Sequence, residues 1–194
     1  MTEDELRELL EAGEETPRRE YKQSHPFTHQ AFQATLIRTI LAMSNVRDGG
    51  RIIIGVEEEG NSYAPTGMRP EHVDTYDRDT IKDKVGEYAD PYVDFSIDTG
   101  VYQGKTFLVI TVREFDEIPV ICKKDGRDLI RGTIYTRTRT RRPESARVST
   151  HADMRDIIEL AVDKGMRKLQ QRGYTLGGGT PPAPALFDDQ IRDL

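Results

Sequence analysis

The run Asn45-Val46-Arg47-Asp48-Gly49-Gly50-Arg51-Ile52-Ile53-Ile54-Gly55-Val56-Glu57-Glu58-Glu59-Gly60 constrains this chain more than any other stretch. Helical periodicity stops at Asn45, a double glycine turns the chain, and three isoleucines follow. Isoleucine is stiff about χ1 and suits a pleated, buried surface. A stretch so continuously apolar has no wet face, so 51–56 reads as a central strand. Through Gly55 it runs directly into three carboxylates. Acids at the end of a buried strand stand on a rigid support. Strand ends are also acidic for solubility alone, and only the rest of the chain separates the two meanings.

Upstream, Phe32, Leu36, Ile37, Ile40, Leu41 and Met43 recur with the spacing of one buried stripe. They predict a helix over 29–45, with Thr28 as its cap. Before it, Arg19-Glu20-Tyr21-Lys22-Gln23-Ser24 alternates, predicting a strand with Glu20 and Lys22 on one face and Tyr21 on the other. Thr2 and Glu5 form a capping box ahead of Leu6, Leu9 and Leu10, so 2–11 reads as a short helix. Downstream, 61–68 is turn-like, 78–88 helical, and 92–97 with 105–112 a β-hairpin around Gly100 and Gly104. A short extended piece at 118–121 and a strand at 129–136 follow. The last helix, 150–169, is capped by Thr150 with Asp153 and carries Met154, Ile157, Ile158, Ala161 and Leu169 as its stripe.

These elements predict an α+β fold: a mixed β-sheet of about five or six strands, a central helix packed on it, and an appended C-terminal helix. The expected organisation is an N-terminal helix over 1–13, a main domain over 14–147, a C-terminal helix over 148–172 and a flexible tail over 173–194, which is rich in glycine and proline. The chain's 194 residues suffice for one packed domain with extensions. No apolar run approaches the roughly 20 residues of a membrane span. The single cysteine, Cys122, excludes an intrachain disulfide and reads as a buried small hydrophobe. A cytoplasmic protein without a membrane partner is expected.

The net charge of −6 conceals a basic stretch. Lys123, Lys124, Arg127, Arg131, Arg137, Arg139, Arg141, Arg142 and Arg147 face only Asp125, Asp128 and Glu144 between 123 and 147. This is an electrostatic footprint for a polyanion, or else a solvated loop edge. In an extended chain Arg137, Arg139 and Arg141 project from one face, a comb suited to phosphates.

Three acids carry the candidate chemistry: Glu15 and Glu20 around the first strand, and Glu58, with Glu57 beside it, after the central one. If the two strands are neighbours, the carboxylates converge. Hard oxygen ligands suit Mg²⁺ or Mn²⁺, which polarise phosphoryl oxygens and acidify bound water. Lys22, on the face of Glu20, is placed to offset charge on a phosphate. Structural ion pairing is the competing reading. His25 and His29 are separated by Pro26 and need not share a helix face, and His72 and His151 stand alone. Gly49-Gly50 is not a phosphate loop, since no Gly-Lys-Ser/Thr follows.

Several of these segments together resemble a known family. Glu20-Tyr21-Lys22-Gln23-Ser24 is similar to the E-F-K-x-S opening of the Schlafen-type AlbA domain, also described as a divergent ATP-binding domain. Ala42-Met43-Ser44-Asn45 followed by Gly49-Gly50-Arg51-Ile52-Ile53-Ile54-Gly55-Val56-Glu57-Glu58 resembles its A-F-A-N-x-x-G-G-x-x-x-x-G-V-D-D. Ile118-Pro119-Val120 resembles its x-P-V element, and Leu129-Ile130-Arg131-Gly132-Thr133 its Y-x-R-x-G-S strand, shortened around the glycine. The resemblance covers about 14–147.

In eukaryotic Schlafen proteins such a domain is an RNA endonuclease whose three acids bind a divalent metal. Two of the acids lie five residues apart and the third sits in the G-V-D-D segment. The resemblance therefore implies Glu15, Glu20 and Glu58 as ligands, with Glu58 in place of aspartate and Glu57 as its alternate. Other members join a helix-turn-helix partner as regulators. The eukaryotic groove is built from two such lobes, whereas this chain has one. That implies a homodimer, with the last helix as its candidate interface. Three functions stand open: an Mg²⁺- or Mn²⁺-dependent endonuclease on structured RNA such as tRNA or on DNA, a non-catalytic nucleic-acid-binding module, and an ATP-binding domain, against which the missing phosphate loop counts.

Overall fold

The computed structural model describes residues 1–60, 62–140 and 142–174. The tail from 175 onward and Arg141 lie outside the described residues. In chain order the elements are α1 (Glu3–Glu11), β1 (Arg19–Lys22), α2 (Gln30–Ser44), β2 (Gly50–Ile54), β3 (Val56–Glu59), β4 (Ser62–Pro65), α3 (Pro70–Val73) and α4 (Arg78–Gly86). They continue with β5 (Ala89–Asp90), β6 (Phe95–Tyr102), β7 (Lys105–Val112), β8 (Ile121–Cys122), β9 (Tyr135–Arg137), β10 (Ser145–Arg147) and α5 (His151–Gln171). The fold is α+β. Its main sheet has four strands in the order β1-β2-β7-β6, with β1 parallel to β2 and the other pairs antiparallel. The remaining strands form three two-stranded ladders, β3–β4, β5–β8 and β9–β10, rather than widening the main sheet.

The three isoleucines of β2 explain the layering. All are fully buried, yet they face opposite ways because successive strand side chains alternate. Ile52 and Ile54 join Leu36, Ile37, Ile40 and Met43 of α2 in the larger core. Ile53 joins Phe107 and Val109 of β7, Tyr21 of β1 and the leucines of α1 in a smaller one. The sheet is therefore a middle layer between α2 and α1. The α1 capping box forms as expected, with the Glu5 amide donating to Thr2 Oγ1 and the Thr2 amide to Glu5 Oε2.

The turn between α2 and β2 leaves no room for a side chain at either of its glycines. Asp48 and Gly49 both have φ +65°, and a Cβ on Gly49 would lie 2.1 Å from the Val112 carbonyl oxygen. A Cβ on Gly50 would lie 2.7 Å from Met43 Sδ. Asn45 ends α2 and does more than stop it. Its buried amide donates to the carbonyls of Leu41, Val120 and Tyr135, while its oxygen accepts from the Val120 amide at 2.8 Å. One side chain thus fastens α2 to β9 and to the segment leading into β8.

Several local expectations change. His29, not Thr28, caps α2, because a Pro26–His29 turn takes up Thr28 and leaves His29 Nδ1 to accept from the Phe32 amide. Of the turn expected over 61–68, the described residues 62–68 hold more than a turn: Gly55, at φ +111°, swings the chain out of the main sheet, and β3 pairs back with β4. Of 129–136 only the end forms a strand, β9. In α5 the expected stripe divides over two faces: Ile157 is buried, whereas Met154, Ile158 and Leu169 are exposed.

Asn45→Ala removes four buried hydrogen bonds and leaves backbone groups without partners. Urea unfolding should show a loss of about 2–4 kcal/mol, and a loss below about 0.5 kcal/mol would contradict this role.

Candidate functional site

The parallel pairing of β1 with β2 sets Glu20 opposite Ile52 and Lys22 opposite Ile54. Alternation sends Tyr21 to the α1 side, where its hydroxyl donates to the Leu9 carbonyl. Glu20 and Lys22 face the other way, towards α2. A tight turn from Thr16 to Arg19, closed by reciprocal 3.0 Å backbone bonds, folds the preceding loop back. This returns Glu15 to β1, where its Oε1 accepts from the Tyr21 amide at 2.9 Å. β3 supplies Glu57 and Glu58. The result is one cleft of about 600 Å³ whose lining includes Glu15, Glu20, Lys22, Thr35, Arg38, Thr39, Glu57, Glu58, Tyr63 and Ser145. Four residues singled out from the sequence, Glu15, Glu20, Lys22 and Glu58, therefore share one cavity because the first and central strands are neighbours.

Their charges are not equivalent. Glu20 is only 6% exposed, and its two oxygens are held in ion pairs, Oε1 with Lys22 and Oε2 with Arg137. Arg137 is itself fully buried and donates from NH1 to Ser145 Oγ at 3.1 Å. Burial pushes the Glu15 carboxyl above the ordinary glutamate value, and the nearby Glu20 charge pushes the same way. The Tyr63 hydroxyl is pushed up to about 12, first by burial and then by the charges of Glu15 and Glu58. Glu58 is half exposed and meets Arg142 NH1 at 3.3 Å, a pair of little energetic weight in water.

The arginine comb does not form. β9 pairs with β10 and packs against α2, so Arg137 points inward to Glu20 rather than out to solvent. Arg139 reaches Asp156 on α5, and Arg142 turns back to Glu58. Lys123, Arg127 and Arg131 are exposed, while Lys124 pairs with Glu87 at 2.7 Å and lies over the Tyr88 ring. These four lie around β8 and the following turn and do not line the acidic cleft. The side chain that sequence reasoning missed is Arg38. It is the sole charge in an otherwise apolar and polar-neutral α2, and that isolation is the signal that could have found it. His25 and His29 do come together, their rings stacked at 5.4 Å, but outside the cleft.

A divalent cation finds the right kind of donor here, since the lining acids offer hard oxygens. The present pairing does not assemble a site from them. Among the described residues no three His, Cys, Asp or Glu side chains are grouped so as to hold a metal ion. Glu20 is engaged by two cations and Glu58 by one.

The model of the family described as Schlafen, AlbA_2 matches residues 15–144. Among curated proteins no match was found. The solved N-terminal domain of an ATP-dependent DNA helicase RecG-related protein from Nitrosomonas europaea is 23% identical with a TM-score of 0.45, covering 66% of this chain and 84% of that one. The DIP2311 protein of Corynebacterium diphtheriae is 17% identical with a TM-score of 0.46, covering 73% of this chain and 26% of that one. With the matched span running from Glu15 through both glycine-flanked ends of β2 to Glu144, the chain belongs to the Schlafen AlbA_2 family.

Proposed function

We propose that the cleft binds a nucleic-acid strand and cleaves it, as a divalent-metal-dependent endoribonuclease acting on structured RNA such as tRNA. The convergence of Glu15, Glu20 and Glu58 with Lys22 in one cavity carries this reading. Mg²⁺ or Mn²⁺ held by those acids would polarise a phosphoryl oxygen and generate a hydroxide near neutral pH. The chain's own contribution is a rigid floor. Glu20 is fixed by Lys22 and Arg137, and Glu15 is oriented by the Tyr21 amide. Release of Lys22 from Glu20 and of Arg142 from Glu58 would free carboxylate oxygens for the ion and cations for the phosphate.

A second reading, a non-catalytic nucleic-acid-binding module, is favoured by one observation. Both Glu20 oxygens are already satisfied by cations, as in a structural ion pair. The discriminating experiment incubates labelled tRNA, single-stranded RNA and duplex DNA with protein and Mn²⁺, beside Glu15→Gln. Glu15 is the better probe because Glu20→Gln strands the buried Arg137 charge, whereas glutamine at 15 still accepts from the Tyr21 amide. The endonuclease cleaves tRNA, and Glu15→Gln lowers the rate by at least about a hundredfold. Salt-sensitive binding without cleavage favours the module, and cleavage that survives Glu15→Gln contradicts the site assignment.

We also propose a homodimer that supplies the second lobe of the groove through α5. Its outer face carries exposed Met154, Ile158, Val162, Met166 and Leu169 along its length. Asp156, Asp163, Lys164 and Lys168 of α5 are paired within the chain, with Arg139, Arg47, Glu114 and Glu117, so the apolar outer face is what a second copy would cover. Sedimentation should give a dimer at micromolar protein; a monomer alone contradicts it.

A further inference from the structure

Arg38 is unusual in its setting. It is the one charged residue in the fifteen of α2, and it stands between Thr35 and Thr39 on the helix face that lines the acidic cleft. Its Nε has no exposed surface and no hydrogen-bond partner among the described residues. A desolvated guanidinium N–H without an acceptor is unfavourable, so a fold that keeps one leaves it for something that arrives later.

The neighbouring groups are committed to partners of the fold before any ligand or metal enters. The Thr35 hydroxyl donates to the Ala31 carbonyl, the Thr39 hydroxyl to the Thr35 carbonyl, and the Ser145 hydroxyl to Thr39 Oγ1. Each hydroxyl has one proton, and all three are committed. Lys22 and Arg137 are both held by Glu20. Arg137 Nε is also buried without a hydrogen-bond partner, but Arg137 does not line this cleft; among the described residues of the α2 wall the Arg38 fork is the donor with a place for an acceptor. The cleft's acids repel a phosphate, so an anion that enters needs a cation already aimed into the cavity.

We propose that Arg38 is the phosphate anchor of the cleft, its planar guanidinium taking the oxyanion of a phosphodiester in a bound RNA strand. This rests on the nucleic-acid reading of the cleft but not on cleavage. A free nucleotide offers the same oxyanion chemistry, so the test separates the two.

Binding of a fluorescein-labelled RNA oligonucleotide and of ATP is measured in EDTA, where no metal-dependent hydrolysis occurs. Wild type, Arg38→Met and Arg38→Lys are compared, with thermal unfolding of each. Methionine keeps an unbranched stem and removes the fork. RNA affinity should fall at least about tenfold in Arg38→Met, with Arg38→Lys between it and wild type. The thermal midpoint should stay or rise, because no partner is stranded and an unsatisfied donor is removed. A merely structural arginine does the opposite, lowering the midpoint on removal. Equal RNA binding by Arg38→Met, no RNA binding by wild type, or an affinity loss accompanied by a lowered midpoint overturns the proposal. A loss confined to ATP overturns the strand assignment. Failure of the endonuclease reading is seen separately, as RNA binding that depends on Arg38 in a protein that does not cleave with Mn²⁺.

Discussion

Beneath the cleft, the carboxylate of Glu20 lies between Lys22 and the buried guanidinium of Arg137. This ion pair joins the edge of the main sheet to the separate β9–β10 ladder, and Ser145 extends it into β10. Two desolvated charges tolerate each other only while paired. Removing either leaves an uncompensated charge, at a cost on the order of 3–5 kcal/mol. The floor of the cavity is thus fixed electrostatically before any ligand enters. Glu20 has a structural duty whatever else it does, which distinguishes it from Glu15 and Glu58.

Around that floor the groups divide into those already satisfied and those held back. Glu15 is partly buried, with one oxygen on a backbone amide and its carboxyl pushed towards the protonated form. Glu58, half exposed at the rim, has a weak pair with Arg142 to exchange. Arg38 has a desolvated donor and no acceptor. A cavity lined by several acids and, on its α2 wall, by a guanidinium N–H without an acceptor suits a ligand that brings both signs of charge, such as a phosphodiester together with a divalent cation.

Much of the scaffold was legible in the sequence because its causes are local. The Thr2/Glu5 box, the periodicity of α2 and the isoleucine run of β2 each act within a few residues. The parallel neighbourhood of β1 and β2, on which the site depends, stood as a condition there and is met in the fold. What could not be read depended on distant partners. Asn45 looked like a helix stop because its bonds run to Val120 and Tyr135, 75 and 90 residues away. Arg137 looked like a solvent-facing tooth of a comb because alternation says which residues share a face, not which face is covered. The division of the α5 stripe arises likewise from where that helix docks. Among the site residues, Arg38 was hidden by the helix that surrounds it: apolar neighbours advertise a core, and a lone charge reads as a surface position.

The proposed divalent-cation site draws its carboxylates from the loop before β1, from β1 and from β3. Addition of substoichiometric Mn²⁺ to ¹⁵N-labelled protein, followed by paramagnetic broadening of amide signals, tests it most directly. Broadening should begin at Glu15, Tyr21, Lys22, Glu57 and Glu58 and should be abolished there by Glu15→Gln with the fold intact. Broadening centred instead on the acidic turn of α1, or spread evenly over the acidic surface, would contradict it.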